Sequence, residues 1–168
     1  MGDMASAPST TRRLDRRHIG CDTSNIGAIR QLTGAQIQAL GDLIRAGKIR
    51  GFGVSNFRGW RIAEIVRLCE KNNVPLPLVC QPYYNLLNRQ PEVEILPACQ
   101  HYGIGVVPYS PIARGVLTGK YQPGARPAEG TRAGRGDKRI TETEFREESL
   151  VIAQKLQQHA QAKGSTVA

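Results

Sequence analysis

Amides, hydroxyls and one phenol recur in this chain at the ends of short apolar runs. Gly51-Phe52-Gly53-Val54 delivers Ser55 and Asn56. Pro77-Leu78-Val79-Cys80 delivers Gln81, and Ile104-Gly105-Val106-Val107-Pro108 delivers Tyr109 and Ser110. Hydroxyl and amide groups both donate and accept hydrogen bonds, so such residues can orient a polar ligand without ionising. A second set is cationic. Arg114, Lys120, Arg126, Arg132, Arg135, Lys138 and Arg139 crowd one Gly/Pro-rich stretch. Cations gathered in a flexible stretch suit a phosphate-bearing small molecule, and equally a solvated basic surface.

The elements that would position these groups repeat. The apolar runs start roughly 26 residues apart, the length of one βα unit. Parallel α/β sheets bind ligands at the carboxyl ends of their strands, so the three polar ends form one wall of a ligand site. Ile37, Leu40 and Ile44 mark a helix that Gly47 stops. Ile62, Ile65, Val66 and Cys69 mark a second over 58–72. Pro91 opens a third, which should run to about Tyr102 with Val93, Leu96 and Cys99 inward. Residues 113–140 read as a long polar loop. Thr141 and Glu144 have capping-box spacing for a last helix to about Lys163, with Leu150, Ala153 and Leu156 inward and Gly164 as its stop. The order is α, then βα three times: an α/β chain of about three to four βα units. Residues 1–33 form a disordered or degenerate segment before a 34–168 domain.

Composition narrows the class. The 168 residues carry 23 Lys and Arg against 14 Asp and Glu, a net charge of +9. Arg12, Arg13, Arg16 and Arg17 form a further cluster near the start. No nucleic-acid module or aromatic-interleaved basic patch accompanies them, so nucleic acid is not expected. Cys21, Cys69, Cys80 and Cys99 include no CxxC pair, which argues against a metal or redox motif and for reduced thiols. No apolar run reaches the length of a membrane helix and no secretory leader is evident. A cytoplasmic protein is expected.

Three segments have a recognisable wording. Gly47-Lys48-Ile49-Arg50-Gly51-Phe52-Gly53-Val54-Ser55-Asn56-Phe57 resembles the fifth strand of the aldo-keto reductase family. Cys80-Gln81-Pro82-Tyr83-Tyr84-Asn85 resembles its sixth strand end. Pro108 to Tyr121, reading PYSPIARGVLTGKY, resembles its seventh strand and the loop over the cofactor. The resemblance covers residues 34 to 168 and implies part of a (β/α)₈ barrel, a fold that typically needs about 250 residues. It also implies truncation at both ends.

The resemblance implies NADP(H)-dependent hydride transfer between a carbonyl and an alcohol. Ser55, Asn56 and Gln81 would hold the nicotinamide carboxamide, and Tyr109 would stack on the ring. Ser110, Pro111, Ile112, Ala113 and Arg114 would wrap the pyrophosphate through backbone groups, with Lys120 and Arg132 reaching phosphates. The family's catalytic Asp, Tyr and Lys come from strands with no counterpart here. Its His would fall near Asn25, and His18 stands too early to replace it. No catalytic or metal residue is therefore assigned. The chain alone is expected to be inactive, and Tyr83, Tyr84 and Trp60 are expected to pack. Two alternatives stay open: a non-catalytic nucleotide-binding or interaction module, self-associating through open sheet edges, and a fragment without function.

Overall fold

A computed structural model describes residues 33–167. The arginines at 12, 13, 16 and 17, and Cys21, His18 and Asn25, lie outside the described residues. Helix α1 spans Gly34–Arg45, and Thr33 begins it with a reciprocal cap in which its side chain and that of Gln36 each satisfy the other's backbone amide. Strands β1 (Gly53–Ser55), β2 (Val79–Gln81) and β3 (Gly105–Val106) alternate with helices α2 (Gly59–Lys71) and α3 (Ile95–His101). The strands form one parallel sheet in chain order, with Gly53 opposite Val79 and Val79 opposite Gly105. The α/β order and parallel sheet in chain order match the expected segment of a (β/α)₈ barrel.

Two apolar clusters hold the chain. The first joins α1, α2 and α3 to the backs of the strands through Ile37, Val54, Ile62, Ile65, Val66, Cys69, Cys80 and Cys99. The stripe read from α2 is the centre of this cluster, since all four of its residues are buried. Gly41 lets α1 approach the segment after α2: a Cβ there would stand 2.5 Å from Val74 Cγ2. Gly53 does the same in the sheet, where a Cβ would meet the Val79 carbonyl oxygen at 2.7 Å.

The second cluster gathers Ala113, Val116, Leu117, Tyr121, Ala133, Ile140 and Leu150. It lies largely within the stretch that sequence reads as a polar loop. The chain there folds into 3₁₀ turns over Ala113–Thr118 and a short helix α4, Lys138–Thr141, before α5, Glu147–Ala162. A few apolar residues are spread too widely among Gly, Pro and Arg for any periodicity to reveal them.

Three further expectations are corrected. The helix expected from Pro91 to Tyr102 is split into a 3₁₀ turn, Gln90–Glu92, and α3. Pro97 explains the break, because its ring would clash with the carbonyl of residue 93 in one continuous helix. Val93 consequently faces solvent, 79% exposed. Thr141 and Glu144 do not cap α5; Thr141 ends α4, Arg146 precedes α5 without a side-chain cap, and Glu144 is buried. Trp60 does not pack inward but is 63% exposed, with the Arg61 guanidinium 5.0 Å from its ring centre.

Candidate functional site

The carboxyl end of the sheet carries a chain of hydrogen bonds from strand to strand. Ser55 Oγ donates to the Gln81 carbonyl at 2.7 Å, and Asn56 Nδ2 donates to Ser55 Oγ at 3.2 Å. Asn56 Oδ1 accepts from the Tyr83 amide at 3.3 Å. Asn56 adopts a left-handed backbone, φ 55°, which turns its side chain back over the strand ends; asparagine tolerates this better than most residues. Each group keeps capacity after these bonds. Ser55 Oγ retains one acceptor lone pair, and Asn56 retains one N–H and a second lone pair on its oxygen.

Tyr109 continues the row. Its amide donates to the Pro82 carbonyl at 3.0 Å, and its ring lies 5.3 Å from that of Tyr83, tilted by 33°. Asn56, Tyr83, Asn88 and Tyr109 line a cavity of about 290 Å³. Asn85, only 6% exposed, ties this end to the next loop: its Nδ2 donates to the Ser110 carbonyl at 3.1 Å, while its Oδ1 accepts from the amides of Leu87 and Asn88.

Beyond Tyr109 the backbone is strained. Ser110, Ala113 and Arg114 all have positive φ, near 50°, followed by Gly115 at 95°. Such conformations cost an L-residue about 1–2 kcal/mol each and survive only where surrounding packing fixes them. That packing is Ala113, Val116 and Leu117 in the second cluster. Ser110, Ile112 and Arg114 of this turn line a groove of about 520 Å³, together with Lys120, Arg132 and Arg135. Gly115 also lines it, and a Cβ there would stand 3.1 Å from Lys120 Nζ.

The groove's charge is partly compensated. Arg114 Nε donates to Glu144 at 3.1 Å, and Arg132 Nε lies 3.9 Å from Asp137. Four cations against two carboxylates leave an excess of two positive charges, and no ion pair is seen for Lys120 or Arg135 among the described residues. The Glu144 carboxylate is 3% exposed and also accepts from the hydroxyls of Tyr83 and Thr143. Burial and then the Glu144 bond push the Tyr83 phenol up to about 12.

The expected site residues thus fall into two adjoining groups. Ser55, Asn56, Gln81 and Tyr109 stand at the sheet end; Ser110, Ile112, Arg114, Lys120 and Arg132 face the groove. Ala113 has a fully buried side chain, so only its backbone could serve as expected, and Pro111 does not line the groove. Sequence reasoning placed Arg135 in the basic cluster without assigning it to the site, and missed two further parts. Arg135 stands three residues after Arg132 in the same basic stretch, so charge clustering pointed towards it. Asn88 and the buried Glu144 carry no local signal. Among the described residues, no cluster of His, Cys, Asp and Glu is placed to hold a metal, and no helix is long and apolar enough to cross a membrane.

The model of the aldo/keto reductase family matches residues 18–168 of this chain. The chain belongs to the aldo/keto reductase family. It is 43% identical over 86 residues to aflatoxin B1 aldehyde reductase member 2 of Mus musculus, a match spanning 51% of this chain and 23% of that protein. It is 41% identical over 86 residues to aldo-keto reductase family 7 member A3 of Homo sapiens, spanning 51% of this chain and 26% of the relative. Among solved structures, a glycerol dehydrogenase from Gluconobacter oxydans superimposes with a TM-score of 0.63 at 27% identity, over 87% of this chain and 40% of the other. The matched regions therefore span well under half of each relative. Aldo/keto reductases are oxidoreductases that generally use nicotinamide cofactors.

Proposed function

We propose that this chain forms one wall of a nicotinamide-dinucleotide site, with NADP(H) as the cofactor, in a carbonyl/alcohol oxidoreductase. The observation that carries the reading is the junction at Tyr109-Ser110. Here a row of amide and hydroxyl groups able to hydrogen-bond a carboxamide meets a groove with two excess positive charges. A dinucleotide has that pattern: a carboxamide-bearing ring at one end and a doubly charged diphosphate beyond it. Ser55, Asn56 and Gln81 orient the ring, Tyr109 offers an aromatic face beside it, and Arg114, Lys120 and Arg132, with Arg135, balance the phosphates.

In such a reaction the cofactor supplies hydride, and the carbonyl oxygen must gain a proton. Tyr83 is poorly suited to give one. Its hydroxyl is committed to Glu144, and a phenol raised to about 12 holds its proton more tightly than a free tyrosine. Among the described residues, those named here bind and orient, and proton donation is not assigned to Tyr83. The reading is of a chain that binds cofactor without turning over carbonyl substrates by itself.

The test is a titration of the purified chain with NADPH, read by nicotinamide emission and Trp60 quenching. Saturable binding weakened at least tenfold by Gln81→Ala or Tyr109→Ala supports the reading; no saturation, or indifference to both variants, refutes it. NADPH oxidation with carbonyl substrates should stay at background, and robust turnover would overturn the non-catalytic part. A second reading, self-association, rests on the edge strands β1 and β3 of the described sheet and on Val107 beside β3, 46% exposed. A monodisperse monomer in light scattering would refute it.

A further inference from the structure

Glu144 is a fully enclosed carboxylate that the binding reading does not use. Three segments converge on it. Tyr83 comes from the turn after β2, Arg114 from the strained turn after β3, and Thr143 from the link between α4 and α5. Tyr83 lies against Tyr109 at the sheet end and does not line the basic groove. Arg114 lines the groove and not the smaller cavity. The same carboxylate thus touches one residue from each half of the site.

We infer that Glu144 is a positioning residue that couples the two halves, fixing Arg114 at the phosphate groove and Tyr83 beneath Tyr109 through one carboxylate. The inference rests on the dinucleotide reading and adds a linkage to it. Glu144 engages Arg114 through Nε, which leaves the two terminal nitrogens of the guanidinium for the groove. A flexible Arg side chain must otherwise be ordered each time an anion binds, and side-chain ordering opposes binding. Tyr83 and Thr143 fix the carboxylate in turn. Loss of the Tyr83 hydroxyl loosens Glu144, and through it Arg114, although Tyr83 makes no contact in the groove.

The experiment is a thermodynamic cycle on the full chain with inorganic pyrophosphate as the probe, measured by calorimetry. Tyr83→Phe should weaken pyrophosphate binding about threefold to fivefold in the wild-type background. In an Arg114→Gln background, which keeps a neutral donor for Glu144, it should change binding by less than 1.5-fold. Equal losses in both backgrounds overturn the linkage, because they mean that Tyr83 acts through general stability and not through Arg114. If the wild-type chain shows no saturable pyrophosphate binding, the dinucleotide reading fails, and a ligand-free readout decides the linkage. Alkaline absorbance titration then follows the Tyr83 phenol, whose ionisable and charged neighbours are Glu144, Arg114 and the Tyr109 phenol. Glu144→Gln, close in volume to the native side chain, should lower the latest tyrosine midpoint, and Arg114→Gln should raise it. A midpoint unmoved by either variant overturns the coupling.

Discussion

The two halves of this molecule are built on different principles. Residues 34–107 are periodic: helix and strand alternate, and Gly53, Val79 and Gly105 stand in register at equal separations along the chain. Residues 108–167 have no strand among the described elements, and their core is assembled from turns around Ala113, Val116, Leu117 and Ile140. The periodic half supplies Ser55, Asn56 and Gln81 as neutral hydrogen-bonding groups, and the irregular half, beyond Tyr109 and Ser110, supplies the groove's charge. Neutral donors need a rigid frame to fix their direction, which repeating βα units provide. A groove of cations tolerates a looser frame, since charge acts over longer range.

If the halves fold as one unit, damage to either should lower a single transition. Ile62→Ala in the first cluster and Ile140→Ala in the second should each cost about 2–5 kcal/mol, because both side chains are at most 1% exposed and each leaves a cavity. Urea unfolding followed by Trp60 fluorescence and by far-ultraviolet dichroism should give coincident curves for both variants. A Trp60 transition that ignores Ile140→Ala would split the molecule into two domains.

Alkaline pH should act on the periodic half and, through Tyr83 and Glu144, on its link to the irregular one. Burial, with Cys99 alongside, pushes the Cys80 thiol from 9.0 up to about 12, and the Tyr83 phenol rises from 10.0 to about 12. Both groups are neutral in the folded chain and ionise earlier in the unfolded one. Their stabilising contribution is therefore complete below pH 9 and is lost as pH rises through 9 to 12. Tm should fall across that window, and less steeply in Cys80→Ala after allowance for that variant's lower starting point.

Two smaller effects sharpen the picture. Thr33→Ala should cost about 1 kcal/mol by removing the α1 cap, detectable as a lower urea midpoint. Arg67→Ala breaks an exposed pair with Glu64 and should leave the midpoint unchanged within error, since exposed pairs contribute little. A marked loss there would show that α2's outer face is covered in solution.

The sequence disclosed the periodic half well because its forces are local. The α2 stripe, Gly47 as a stop and the polar strand ends all follow from spacing within one element. Pro97 shows how one residue defeats such a reading, since its effect depends on a carbonyl four positions earlier. The irregular half was opaque for a different reason. Glu144 sits between Thr143 and Phe145 in a segment rich in Glu and Thr, and nothing nearby marks it as buried. Its burial is decided by Tyr83 and Arg114, which are 61 and 30 residues away. The groove was partly visible as a run of cations, but which of them converge depends on the left-handed turn at Ala113 and Arg114.

The even spacing of the strand register also bears on how the chain reaches this state. Each strand pairs with a partner 26 residues away, as Ser55 with Gln81 does. The entropic cost of closing a loop grows with its length, so every βα closure faces the same modest barrier and can form as soon as its own segment is available. The Tyr83–Glu144 contact must close a loop more than twice as long. Sheet and helices can therefore close on one short, repeated loop length, and the clasp that joins wall to groove is the contact that spans the longer stretch of chain.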